Sequence, residues 1–132
     1  MVEEGKYKDI TGKIIGCAME VHNQLRCGFQ EVIYQRALDI EMRKVGLAFT
    51  REQEMSILYK GEEIGTRRVD FMVEGKISLE LKAISQLESI HLAQAVNYLE
   101  IYNVEVGLLI NFGSQKLEFK RLVNSKYKAE RQ

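Results

Sequence analysis

Val106-Gly107-Leu108-Leu109-Ile110 is a short, unbroken apolar run, and it constrains the chain more than any other segment. An amphipathic strand alternates; a continuous run of this length fits a strand buried on both faces. Cover for it is legible upstream. From Ile10 to Leu25, the residues Ile10, Ile14, Ala18, Val21 and Leu25 recur at three- or four-residue steps, one face of a helix. Gly12 and Gly16 lie one turn apart on it and are expected to permit close packing, at some cost in helix stability. A second helix is expected from Gln30 to Val45, with apolar rows Ile33, Ala37, Ile40 and Leu38, Met42, stopped by Gly46.

After Gly46 the period changes from 3.6 to 2. Gln53, Met55, Ile57 and Tyr59 alternate with Glu54, Ser56 and Leu58, which reads as a strand. Turns at Lys60-Gly61-Glu62 and Glu74-Gly75-Lys76 separate it from strands over 66–73 and 77–82, an antiparallel meander. Ser89 is expected to cap a third helix that runs to Tyr102. The apolar run follows, then a last strand from Lys116 to Val123. The order is ααβββαββ, an α/β domain in which a helix crosses over to set a later strand beside the meander.

Length and composition fit one domain over 1–132, with 1–8 and 124–132 peripheral and the last nine residues frayed or helical. The chain has 132 residues, 45% apolar and 29% charged, so it can bury a core without staples. No apolar stretch is long enough to span a membrane, and the first residues lack the pattern of a signal peptide. Cys17 and Cys27 form no C-x-x-C pair, which suggests a reducing, cytoplasmic setting. Basic and acidic residues balance at 19 each, which argues against binding nucleic acid by bulk electrostatics.

The most informative chemistry lies between Arg68 and Lys82. Glu80 and Lys82 are two apart and share a face of their strand, with Leu79 and Leu81 on the other. Whether Asp70 joins them depends on the hairpin register. A three-residue loop over Glu74-Gly75-Lys76, with glycine in the left-handed region, pairs Val73 with Ile77 and therefore Asp70 with Glu80; a two-residue loop sends the carboxylates to opposite faces. The odd loop is the expected one. Paired carboxylates repel unless something positive sits between them, and Mg²⁺ fits such a place. Lys82 beside it would orient or deprotonate a water, or stabilise charge developing on a phosphorane-like transition state. The same residues also suit a plain salt bridge between Lys82 and Glu80 on a solvated face.

Two further pairs bear on that choice. Glu31 and Tyr34 lie at i, i+3 at the start of the second helix, where an acid also suits the helix dipole. Gln94 and Tyr98 lie one turn apart on the third helix. Taken together, Gly28-x-x-Glu31-x-x-Tyr34, Asp70, Glu80-x-Lys82 and Gln94-x-x-x-Tyr98 resemble the GxxExxY proteins of the PD-(D/E)XK nuclease superfamily, over about Ile10 to Phe112. The last element also looks like that of the RecB-like and phage exonuclease branch. The specificity lies in the order and spacing of all four motifs, since Glu-x-Lys alone matches countless strands.

The resemblance implies a restriction-endonuclease-like core, a mixed central sheet flanked by helices, and a Mg²⁺- or Mn²⁺-dependent nuclease acting on DNA through a metal-activated water. It implies Asp70 and Glu80 as metal ligands, Glu31 as a third or supporting one, Lys82 as the residue that positions water, and Gln94 and Tyr98 as groups that orient the phosphate or the lysine. Two departures stand out: Val69 replaces the proline before Asp70, and Arg26-Cys27 replaces the glycine-proline before Gly28. RNA remains open as a substrate, a homodimer is plausible by analogy, and the alternative is an inactive nucleic-acid-binding or protein-interaction module with the same fold.

His22, His91, Cys17 and Cys27 are read as structural or surface residues. The balanced charge conceals a gradient. Residues 116–132 carry six basic and two acidic side chains, and the preceding part carries 13 basic and 17 acidic. Part of that acidity is the proposed site, so weak, metal-assisted, salt-sensitive DNA binding is the expectation.

Overall fold

The computed structural model describes residues 5–129, and its element order is α1 Lys8–Leu25, α2 Glu31–Lys44, β1 Phe49–Tyr59, β2 Glu62–Val73, β3 Ile77–Lys82, α3 Ser89–Tyr102, β4 Val106–Asn111 and β5 Glu118–Val123. The expected order ααβββαββ is therefore the observed one. Five strands form one mixed sheet in sequential order, antiparallel except for β3 and β4, which α3 joins as a parallel crossover.

The two helical layers explain the apolar run. Val106, Leu108 and Ile110 of β4 face α1 and α2 in a core with Ile14, Val21, Leu38, Phe71, Leu79 and Leu81. Leu109 faces the other way, toward Ala95 and Leu99 of α3. All six residues of β4 are buried. Gly107 suits this packing, because a Cβ there would sit 2.8 Å from the Leu99 side chain and force it to shift.

Several local expectations need correction. Gly12 and Gly16 do not mediate close packing: a Cβ at either would meet nothing within 4 Å. Ser89 does not cap α3; it is the first helical residue, and Glu88 is the cap, its N–H donating to His91 Nδ1 at 2.9 Å. Of the frayed or helical alternatives for 124–132, residues 124–129 form a turn and irregular backbone, and 130–132 lie outside the described residues. β1 begins at Phe49 and β2 at Glu62, each four residues before its expected start.

The hairpin register positions the site. Gly75 adopts φ 66, the left-handed region that glycine tolerates, and Val73 pairs with Ile77. The β2–β3 ladder then ends at Phe71 opposite Leu79, so β2 from Glu62 to Asp70 runs on beside β1 alone. Glu52, at φ 50, interrupts the β1–β2 ladder between Arg51–Phe71 and Gln53–Val69. Asp70 thus lies where pairing lapses on both sides. Side-chain faces change across that lapse: Arg51 reaches Asp39 and Gln35 of α2, whereas Gln53 lines a groove with Met55 and Met72 on the other side of the sheet.

Beyond β3, a side-chain clip fixes the chain. Asn111 Oδ1 accepts the N–H groups of Ile84 and Gly113, and its Nδ2 donates to the Ile84 carbonyl and Glu118 Oε1, all at 2.9–3.0 Å. This wholly buried amide ties the segment after Lys82 to the start of β5.

Candidate active site

Freed from both ladders, the Asp70 carboxylate turns to the next strand and accepts the Leu81 N–H at 2.7 Å through Oδ2. Its Oδ1 accepts a long hydrogen bond from Gln35 Nε2 of α2, at 3.5 Å. The Leu81 bond sets Asp70 beside Glu80, near enough for each acid to shift the other's pKa. Burial raises both above the ordinary carboxylate range. For Glu80 burial outweighs the Arg67 hydrogen bond and the Asp70 charge adds to burial, so its pKa is pushed up to about 7. For Asp70 the Leu81 N–H, the Glu80 carboxyl and the charges of Arg67 and Lys82 partly offset burial. Two crowded, desolvated carboxylates hold protons more tightly than free ones.

Glu31 occupies the first turn of α2, exposed at the rim of the cluster. Partial desolvation and the charge of Asp70 raise its pKa, while Lys82 and Arg67 act against them. Tyr34, one turn on, points the other way and is fully buried. Its hydroxyl donates to the Arg26 carbonyl at 2.6 Å and accepts the Phe29 N–H at 3.2 Å, and its ring stacks on Phe112 at 4.8 Å. The tyrosine therefore fastens the loop that leads into Glu31.

Lys82 does not form the expected salt bridge with Glu80. Among the described residues, no carboxylate lies within ion-pair distance of its ammonium. The cation on Glu80 is instead Arg67, whose Nη1 lies 2.6 Å from Oε1. Burial opposes the Arg67 charge, but the hydrogen bond and charge of Glu80 hold its pKa above the usual value. The guanidinium also rests 3.8 Å from the centre of the Tyr98 ring, which stacks on Tyr102. Sequence reading missed Arg67 because strict alternation from Asp70 assigns it to the opposite face. The change of faces at Glu52 and Asp70 turns it toward α3.

Gln94, Tyr98 and His91 of α3 line a small hollow with Arg67, Glu80 and Lys82. It has room of about 10 Å³, about one water. A larger groove of about 430 Å³ lies between Tyr7, Met55, Met72, Asn103 and Tyr127, away from the carboxylate pair. Glu80, with its raised pKa, and Lys82 line the small hollow, and perturbed acids mark it as the better candidate of the two.

His22 is buried and its Nε2 hydrogen-bonds the Ser114 carbonyl at 3.0 Å, a structural role. Cys17 is buried, its thiol raised by burial and by Glu41, and Cys27 is exposed. Among the described residues, no three His, Cys, Asp or Glu side chains are gathered closely enough to cage a metal ion. The donor set still suits Mg²⁺ or Mn²⁺. Asp70 and Glu80 offer hard oxygens side by side, and Mg²⁺ is commonly held by one or two carboxylates plus water and substrate phosphate. No described helix is long and apolar enough to cross a membrane.

The sequence model of the PD-(D/E)XK nuclease superfamily matches residues 8–122. A solved structure described as the crystal structure of SSO0001 is similar with a TM-score of 0.54 and 18% identity, covering 71% of this chain and 50% of the other. This likeness is one of fold, and the chain spans half the length of that structure. No curated protein matches the sequence.

Proposed function

Because the chain belongs to the PD-(D/E)XK nuclease superfamily, we propose that it is a metal-dependent nuclease of the GxxExxY type that hydrolyses DNA phosphodiester bonds at Asp70, Glu80 and Lys82. The observation that carries this reading is that the Leu81 N–H holds the Asp70 carboxylate beside Glu80, while Lys82 shares the Glu80 hollow and makes no ion pair among the described residues. Asp70 and Glu80 would hold Mg²⁺ or Mn²⁺, with Glu31 at the rim as supporting acid. Bound there, the ion supplies charge neutralisation and makes water more acidic.

The remaining work falls to the chain's own residues. Lys82 orients the attacking water and takes up or releases its proton, and its charge opposes the charge that builds on the phosphate oxygens. Gln94 and Tyr98, one turn apart on α3, set the position of the phosphate and of the groups around it. Reduced Cys17 and Cys27 fit a cytoplasmic protein.

A second reading is an inactive module that binds nucleic acid or protein, and the ion pair between Arg67 and Glu80 favours it, since a fixed guanidinium leaves the acid no free charge. Incubation of single- and double-stranded DNA, and of RNA, with Mn²⁺ separates the two. Cleavage abolished in Asp70→Ala supports the nuclease, and DNA retention with no cleavage by the wild type supports the module.

A further inference from the structure

Arg67 stands outside every motif in the sequence, yet it makes the one ion pair of the site among the described residues. We propose that Arg67 is a resident counter-cation: it occupies the Glu80 carboxylate while no divalent cation is bound, and yields it when one enters, turning on Tyr98 to receive a substrate phosphate. The inference rests on the reading of Asp70 and Glu80 as the cation-holding pair.

Four observations carry it. The contact is a charge-assisted hydrogen bond of 2.6 Å to Oε1, one of the oxygens a metal ion would use. With Arg67 in place, the hollow has room for about one water. A hydrated cation at Glu80 and a phosphate beside it need more, and displacement of the guanidinium would supply that room.

The movement is anchored. The Tyr98 ring holds the guanidinium 3.8 Å from its centre, an attraction that does not depend on Glu80. The backbone permits it as well, because Arg67 lies on the part of β2 that has no partner in β3. Its destination follows from chemistry: a planar guanidinium released from one carboxylate matches phosphate oxygens in the same forked geometry.

Without a metal, two close carboxylates repel, and Arg67 offsets that repulsion. Guanidinium and divalent cation therefore compete for one acid, and by linkage each weakens the other. The lysine is not part of this exchange. It makes no ion pair among the described residues.

The test is calorimetric titration of the full chain with MnCl₂, at one pH, for the wild type, Arg67→Gln, Arg67→Lys and Arg68→Ala, together with the KM for DNA cleavage. Arg68 is a neighbouring, exposed cation that makes only a long contact of 3.8 Å with Glu52. Its variant therefore controls for loss of charge alone. Arg67→Gln should bind Mn²⁺ about tenfold more tightly than wild type and show a raised KM for DNA, while Arg68→Ala changes Mn²⁺ affinity less than about twofold.

These two changes run in opposite directions, which a merely structural role would not produce. Arg67→Lys keeps charge but not the fork, is the variant of choice if the glutamine form does not fold, and should lie between. Mn²⁺ affinity in Arg67→Gln equal to or weaker than wild type overturns the inference and leaves the nuclease reading standing. Absence of Mn²⁺ binding in all four proteins removes the cation reading itself, and the inference with it.

Discussion

Asp70 Oδ2 accepts the backbone N–H of Leu81 at 2.7 Å, across the point where the β2–β3 ladder has ended. The side chain takes over from the ladder and holds β2 against β3 beside Glu80. The same carboxylate thus has a structural and a chemical task, and the two can be separated by substitution.

Asparagine at this position keeps an oxygen for the Leu81 N–H and removes the charge that crowds Glu80. Alanine leaves a buried donor unsatisfied. Urea unfolding should therefore place Asp70→Asn within about 1 kcal/mol of wild type and Asp70→Ala lower by about 1–3 kcal/mol. Both should lose nuclease activity. Equal stability of the two variants would mean that the Leu81 bond contributes nothing.

Glu80 supplies a pH signature. Its folded pKa of about 7 lies above its ordinary value of 4.5, so the folded state binds this proton more tightly than the unfolded one. Stability from this group is complete below about pH 4.5 and is lost as pH rises through about 7. The change is on the order of 3 kcal/mol at most. Asp70 and Glu31, also raised, act in the same direction. Thermal melts without metal across this range should show a fall that Glu80→Gln flattens and that Mn²⁺ reverses above pH 7.

Tyr34 and Glu31 share a motif but not a task. Tyr34→Phe removes a hydroxyl that joins the Arg26 carbonyl to the Phe29 N–H, and should cost about 1–2 kcal/mol. Glu31→Gln, at the exposed rim, should leave the melting temperature nearly unchanged and lower the cleavage rate. Comparing melting with rate in the two proteins checks the division.

Two glycines that look alike in sequence should respond oppositely. Gly12 is exposed in α1 with open space around it, so Gly12→Ala should stabilise the protein by about 0.5–1 kcal/mol. A Cβ on Gly113 would lie 2.3 Å from the backbone N and O of Ile84. Gly113→Ala should destabilise by about 3 kcal/mol or more and disturb the chain just past Lys82. Denaturant midpoints of the two proteins read both effects.

Much of this was legible in the sequence because the period of apolar residues and the turn at Glu74-Gly75-Lys76 are local signals. They gave the element order, the span of α3 and the Val73–Ile77 pairing that brings Asp70 to Glu80. Arg67 was not legible, since its direction depends on a lapse in strand pairing at Glu52 that no alternation rule contains. The role of Asn111 was hidden for a related reason. Its two hydrogen bonds to Ile84 reach 27 residues back along the chain, and only the fold brings the two together.

Lys82 is the residue on which the central claim turns, being the one cation of the cluster without an ion pair among the described residues. The decisive measurement is single-turnover cleavage of DNA with saturating Mn²⁺, comparing wild type with Lys82→Ala. A fall in rate of about 100-fold or more, with Mn²⁺ affinity retained, is the predicted result. Equal rates in the two proteins would contradict the account.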